Sequence, residues 1–299
     1  MLRISIGLLL AVSALAQTLR FGILGDSGTG DETQKAVARQ MERRQLQGPW
    51  KFVLFLGDNV YDEGNPKEFE QKFGQVYRAL AAGGVQLHAT LGNHDRIHRH
   101  SRRGMAQVED PSFGYVAQRD EYVYVPRPLA GGQALVRFLC LNSDAWIEEL
   151  DQGRPPAGRL AQLRGWLDQS GQYHWNFVVL HHPLYSFVRR GLFGLRGHGP
   201  SRQLREVIEP LLVAGKIDAV FAGHEHFYMK IRPQKGIHHF ISGGGGQKVR
   251  PGADLGHAEV EAGAEQNHFL DLELDQERLS YQAISVAGTP IHPPRTIAK

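Results

Sequence analysis

Leu19-Arg20-Phe21-Gly22-Ile23-Leu24-Gly25-Asp26-Ser27-Gly28 is the stretch on which the fold turns. Its first six residues form a short apolar run, and the Gly-Asp-Ser-Gly that follows is a turn, so the stretch reads as a buried strand closing on a glycine-rich loop. Asp31 then stands as a helix N-cap with Gln34 at the capping-box position, which predicts a helix to about Gln47. Lys51 to Gly57 (KFVLFLG) repeats the strand pattern. Asn65-Pro66 opens a second helix, Asn as the cap and Pro at the first helical position, and Val85 to Leu91 is a third strand. Strand, helix, strand, helix, strand at this spacing predicts βαβ units and the α/β class.

Further along, Glu121 to Val125, Ala134 to Leu141, Trp175 to Leu180 and Ile217 to Ala222 read as strands. Pro156 to Gln169 and Arg202 to Ala214 read as helices. The last 70 or so residues are strand-rich, at Tyr228 to Ile231, His238 to Ser242, Phe269 to Leu274 and Leu279 to Val286. With no internal repeat and no low-complexity linker, a single mixed α/β domain over residues 17–299 is expected.

Composition narrows the classes. Of 299 residues, 41% are hydrophobic and 22% charged, which excludes a mostly disordered chain. A net charge of +3 is too weak for a nucleic-acid-binding signature. One cysteine, Cys140, excludes a disulfide framework and a multi-cysteine zinc site; in its apolar run it is expected to pack in a strand. Met1-Leu2-Arg3, the apolar run Ile4 to Leu15 and the small-x-small site Ala14-Leu15-Ala16 form a secretory signal peptide over residues 1–16. No other segment reaches spanning length, so an exported protein, periplasmic or secreted, without a membrane span is expected. Without coiled-coil heptads, a monomer is the default.

Function is written where the strands end. They close in turn on Gly25-Asp26, on Gly57-Asp58-Asn59-Val60-Tyr61, on Gly92-Asn93-His94-Asp95, on His181-His182-Pro183 and on Gly223-His224-Glu225-His226. Ligands of open α/β sheets bind beyond the carboxyl ends of the strands. A single Asp or Asn after a strand is ordinarily a turn or cap residue; five such ends, four with a preceding Gly, are a recurrence. Carboxylate, amide and imidazole oxygens and nitrogens together suit ions such as Mn, Fe, Zn or Mg. The set is large enough for two metal ions, which would acidify a water for in-line attack at phosphorus.

In this order the five blocks resemble the signature of the calcineurin-like metallophosphoesterases, spanning Asp26 to His226. Gly28, where most of that superfamily carries His, and Tyr61 after GDNV resemble the purple acid phosphatases in particular, as do HHPLYS and His198-Gly199. The resemblance implies two mixed β-sheets packed as a sandwich with helices on both outer faces. It implies one metal held by Asp26, Asp58, Tyr61 and His226, and a second held by Asp58, Asn93, His181 and His224, with Asp58 bridging. Iron is implied at the Tyr61 site, with Fe, Mn or Zn beside it. His94 would assist the leaving group and Asp95 would orient His94. The substrate implied is a small-molecule phosphoester, a monoester before a diester.

The basic loops Arg96 to Arg103 and Arg189 to Arg196 border these blocks, and Arg96 is a candidate for contact with an anionic leaving group, His198 for contact with substrate or metal-bound water. Two other readings compete. Gly25-Asp26-Ser27 resembles the serine block of the GDSL esterases, with Ser27 as nucleophile and Asp254 and His257 completing a triad. A non-catalytic metal-binding member of the same fold is the other.

Overall fold

The computed structural model describes residues 18–95, 121–126, 134–191, 194–195 and 197–299. The expected signal peptide and the loop holding Arg96 lie outside the described residues. In chain order the first half runs β1 (Leu19–Leu24), α1 (Glu32–Gln47), β2 (Phe52–Phe55), α2 (Pro66–Phe69), α3 (Gln75–Ala82), β3 (Gln86–Ala89), β4 (Tyr122–Tyr124), β5 (Ala134–Cys140), α4 (Ser143–Asp151) and α5 (Ala157–Leu167). The second half runs β6 (Tyr173–Leu180), β7 (Arg190–Gly191), β8 (Gly194–Leu195), α6 (Arg202–Ala214), β9 (Ala219–Ala222), β10 (Tyr228–Gln234), β11 (Ile237–Ser242), β12 (Val260–Ala264), β13 (His268–Leu274), β14 (Arg278–Ser285) and β15 (Arg295–Ala298).

Local chemistry sets these elements. Asp31 caps α1 by accepting from the Gln34 N–H at 2.9 Å. The Gln34 side chain reaches one residue further back than a capping box would, to the Gly30 N–H at 2.6 Å. Asn65 caps α2 by accepting from Lys67. A π-helical turn, Glu70–Gly74, carries α2 into α3.

Two mixed sheets result. The first has the order β15-β14-β13-β1-β2-β3, with β1, β2 and β3 parallel and β13 antiparallel to β1. The second has the order β12-β10-β11-β9-β6-β5-β4, with β5, β6, β9 and β11 parallel. Between them lies an aromatic core. Phe21 stacks on Phe52 (4.9 Å) and meets Phe138 of the facing sheet edge-on at 5.5 Å. Phe177, Phe221 and Phe240 continue the layer. Helices α1 and α3 cover the outer face of the first sheet through Val37, Met41, Tyr77 and Leu80. Helices α4, α5 and α6 cover the second through Trp146, Leu163, Ile208 and Leu212. The sandwich with helices on both outer faces is therefore observed. Cys140 is buried in β5, where burial pushes its thiol up to about 12; it packs.

Strands β1, β2 and β3 run the same way, as do β6 and β9, so their carboxyl ends gather on one edge of the sandwich.

Candidate metal centre

Each sheet delivers part of one cluster. Asp26 follows β1, Asp58 follows β2 and Asn93 stands in the turn after β3; His181 follows β6, and His224 and His226 follow β9. The turns are tight enough that Asp26, Asp58 and His224 take left-handed backbone conformations, with φ of 57°, 53° and 70°. For residues other than glycine this costs on the order of 1 kcal/mol each. Glycines let the turns crowd together. A Cβ on Gly92 would lie 2.3 Å from Asp58 Oδ1, and one on Gly223 would lie 2.6 Å from Asp26 Oδ2. Gly243, from the glycine run after β11, comes equally close: its Cβ would meet Asp26 Oδ2 at 2.7 Å.

Donors meet at the centre. The Tyr61 hydroxyl lies 2.8 Å from Asp58 Oδ2, 3.2 Å from Asp26 Oδ1 and 3.5 Å from His226 Nε2. His181 Nε2 lies 3.4 Å from the same Asp58 Oδ2, 3.1 Å from Asn93 Oδ1 and 3.2 Å from His224 Nδ1. One carboxylate oxygen of Asp58 thus faces both groups of donors. Its other oxygen accepts the His94 backbone N–H at 2.8 Å.

Hydrogen bonds at the rims set which ring nitrogens face inward. His181 gives its Nδ1 hydrogen to the Leu56 carbonyl at 2.8 Å, and His226 gives its Nδ1 hydrogen to the Lys248 carbonyl at 3.0 Å. In each case Nε2 is the nitrogen that faces the cluster, the arrangement metal-ligating histidines use. His182 is also within reach of this group. However, Ser143 Oγ accepts the backbone N–H groups of both histidines, which leaves its own hydrogen for His182 Nδ1 at 2.9 Å. The proton of His182 then sits on Nε2, which makes it a donor and leaves His181 as the ligand-type imidazole.

Charge supports a cation here. Burial pulls the His181 imidazole down, but the Asp58 and Asp26 carboxylates and the Leu56 carbonyl together outweigh it and carry the group up to about 10: a proton takes the position of a positive ion. Burial, then the carboxylates of Asp26 and Asp58, hold the Tyr61 phenol well above its usual range. A metal ion reverses that sign, since it stabilises an oxygen anion. Burial and the surrounding imidazoles keep His224 well below its ordinary value, hence neutral and free to coordinate. Buried carboxylates and inward imidazole nitrogens facing one another fit a two-metal centre.

The structure assigns some residues differently from expectation. Asp95 was expected to orient His94. Its carboxylate instead accepts from the Asn59 and Val60 N–H groups (2.9 and 3.1 Å), the Gly92 N–H (2.9 Å) and the Asn59 side chain (3.0 Å), fastening two ligand turns together. The His94 ring is held through Nδ1 by the Asp62 carbonyl at 2.8 Å and lies 4.6 Å from the Tyr61 ring. Gly28 has no room for a side chain, because a Cβ would strike the Asn59 carbonyl carbon at 2.1 Å; its own carbonyl accepts the Tyr61 N–H at 2.8 Å. Ser27 is wholly buried, and Asp254 and His257 line a different groove with Tyr185 and Arg205, so the esterase triad does not assemble. His198 does reach the centre, its ring 4.1 Å from that of His224.

Sequence reasoning missed Glu225 and Arg250. Glu225, between two ligand histidines, accepts the Gly199 N–H at 2.6 Å and the Ser186 hydroxyl at 3.2 Å, which pins the segment carrying His198. Arg250 donates to His198 Nε2. Only the alternation within GHEH hinted at the first; no local pattern marks the second.

Comparison with known proteins agrees with this geometry. Tartrate-resistant acid phosphatase type 5 of Rattus norvegicus is 27% identical over 263 residues, 80% of this chain and 76% of the rat protein. Purple acid phosphatase 7 of Arabidopsis thaliana is 26% identical over 300 residues, 92% of this chain and 85% of the plant protein. Among solved structures, the purple acid phosphatase from yellow lupin seeds superposes with a TM-score of 0.72 at 18% identity, covering 95% of this chain and 54% of the lupin chain. The Plasmodium protein described as the anchor in the inner membrane complex superposes with a TM-score of 0.76 at 16% identity, over 94% and 89%. Such structural likeness establishes the fold alone. The calcineurin-like phosphoesterase family model matches residues 19–228, and with the strand-end donors all in place this chain belongs to the calcineurin-like phosphoesterase family.

Proposed function

We propose that this chain is a two-metal phosphoester hydrolase of the purple acid phosphatase type, acting on small phosphomonoesters. The observation that carries the reading is the position of Asp58, whose Oδ2 faces Tyr61 on one side and His181 on the other. Asp26, Asp58, Tyr61 and His226 would hold one ion, iron where Tyr61 is a phenolate. Asp58, Asn93, His181 and His224 would hold the other, Fe, Mn or Zn. When bound, such a pair supplies Lewis acidity toward the phosphoryl group and acidifies water for in-line attack.

The chain's own residues do the rest. Asp58 orders the next turn by accepting the His94 N–H. The Asp62 carbonyl fixes His94 at Nδ1, so Nε2 is the atom left to pass a proton to the departing alcohol. Asp95 acts as a positioning residue beneath both turns. Residues 1–16 are read as an export signal and 17–299 as one catalytic domain; no helix among the described residues is long and apolar enough to cross a membrane.

The test is metal content with phosphate release on protein purified without chelators. About two metals per chain and hydrolysis of phenyl phosphate are expected. His94→Ala should keep both metals while turnover falls on the order of a hundredfold. Absence of metal after reconstitution with Fe, Mn and Zn would overturn the reading. Wild-type turnover in the variant would remove His94 from the proton transfer. Tyr61→Phe should abolish a visible phenolate-to-iron band; an unchanged absorption spectrum would show that Tyr61 is no ligand.

A further inference from the structure

Arg250 lies at the edge of the metal centre, and no carboxylate pairs with it among the described residues. Arg189, from the basic loop after the fourth block, is by contrast paired with Glu265 at 3.0 Å. Arg250 donates instead to Nε2 of His198, whose ring packs against the ligand-type His224. A guanidinium only donates, so this nitrogen of His198 accepts; one of five N–H groups is used and the others stay available.

Both residues are held by backbone tied to the ligand turns. On the Arg250 side, Gln247 N–H donates to the Asp26 carbonyl at 2.9 Å, and the Lys248 carbonyl accepts from His226 at 3.0 Å. Past Arg250, Gly252 and Ala253 donate to Glu265 at 2.6 and 2.8 Å. On the His198 side, Glu225 takes the Gly199 N–H, and a Cβ on Gly197 would lie 2.6 Å from Glu225 Oε2. An arginine on a braced loop is placed for a ligand more firmly than one on a free loop.

Charge indicates which ligand. Asp26 and Asp58 face two divalent ions, or with a Tyr61 phenolate one trivalent and one divalent ion. Either way the donor set carries roughly two positive charges, which the attacking hydroxide and a phosphomonoester dianion together more than consume. Two other buried carboxylates near the centre, Asp95 and Glu225, are turned to backbone amides and to Ser186. The reacting phosphoryl group therefore leaves no ion charge for a second anionic group, whereas Arg250, which meets the centre through His198, stands one side chain outside the donors, where such a group on the alcohol would lie.

We propose that Arg250, seated on His198, is a specificity-determining residue that takes a second anionic oxygen group on the leaving side of the substrate. The enzyme then prefers phosphoesters whose alcohol carries its own phosphoryl or carboxylate over esters of neutral alcohols. This rests on the phosphoester reading above.

The test uses a matched pair, propane-1,3-diol monophosphate and its 1,3-bisphosphate, with the metal-loaded enzyme. Beyond the statistical factor of about two for two reactive ends, the bisphosphate is expected to lead in kcat/KM by about tenfold. That preference should vanish in Arg250→Ala and be partly kept in Arg250→Lys, which retains the charge without the planar fork. Calorimetry with propane-1,3-diphosphonate against propylphosphonate reads the same preference without turnover. The same preference in wild type and Arg250→Ala, or none in wild type, would overturn the assignment. Failure of the wild type to hydrolyse either ester would strike the phosphoesterase reading instead, while the calorimetric ratio still decides the role of Arg250.

Discussion

Replacing His224 by Ala is expected to remove metal from the centre and to lower turnover by more than about a thousandfold, the effect of losing several kcal/mol of charge stabilisation at phosphorus. The reason is geometric. His224 Nδ1 stands 3.2 Å from His181 Nε2, and His181 in turn is 3.1 Å from Asn93 and 3.4 Å from Asp58. Without His224 the ion that those three donors would hold loses one ligand, while the Tyr61 group is untouched. Metal analysis should therefore find the loss concentrated in one of the two ions, and turnover should fall with it. A variant that keeps two metals per chain and turns over within tenfold of wild type would show that His224 is not a ligand.

Asp95→Ala should give the largest loss of stability among the residues of the site. The buried carboxylate satisfies three backbone N–H groups and one side-chain N–H. Each unpaired buried donor costs about 1–3 kcal/mol, and the contributions do not add fully. A total of about 4 kcal/mol is expected, which for a chain of this size lowers the unfolding temperature by about 10 °C. Turnover should fall as well, because the turns bearing Asp58 and Asn93 lose their common anchor. Asp95→Asn, which keeps one acceptor oxygen, should fall between. The measurement is thermal unfolding with and without chelator; a shift under about 2 °C in both would mean the clasp is not needed.

Much of this site was legible because each apolar run breaks off at the polar group that follows it. An apolar run such as Phe52 to Leu56 has no further use for hydrophobic residues once it leaves the core, so the polar group after it marks the exit point of a strand. Five such exits named by number the groups that the structure gathers into one cluster. Which strands share a sheet was not legible from pattern, because β-pairing is set by contacts distant in sequence, as when β13 joins β1. Helix α4 went unread because Ser143 to Asp151 is short and largely polar, anchored mainly by the buried Trp146. Strands β12 and β15 sit on sheet edges, where Val260–Ala264 stays half-buried and alternation is weak. The role of Asp95 was misread because adjacency in GNHD suggested a bond to His94. In the structure its side chain turns toward Asn59, 36 residues away. Arg250 carries no local mark at all; only the closure of its loop onto Asp26 and His226 brings it to the centre.

Asp26, Asp58 and Asn93 ride on one sheet, and His181, His224 and His226 on the other. Neither sheet alone owns a full coordination shell. The stack of phenyl rings from Phe21 through Phe240 consequently serves as a gauge block: its thickness sets how far apart the two halves of the centre stand. Selection on those rings, remote from any substrate, is at the same time selection on the spacing of the donors. A methylene gained or lost in that layer is transmitted to the chemistry as a change in bite distance.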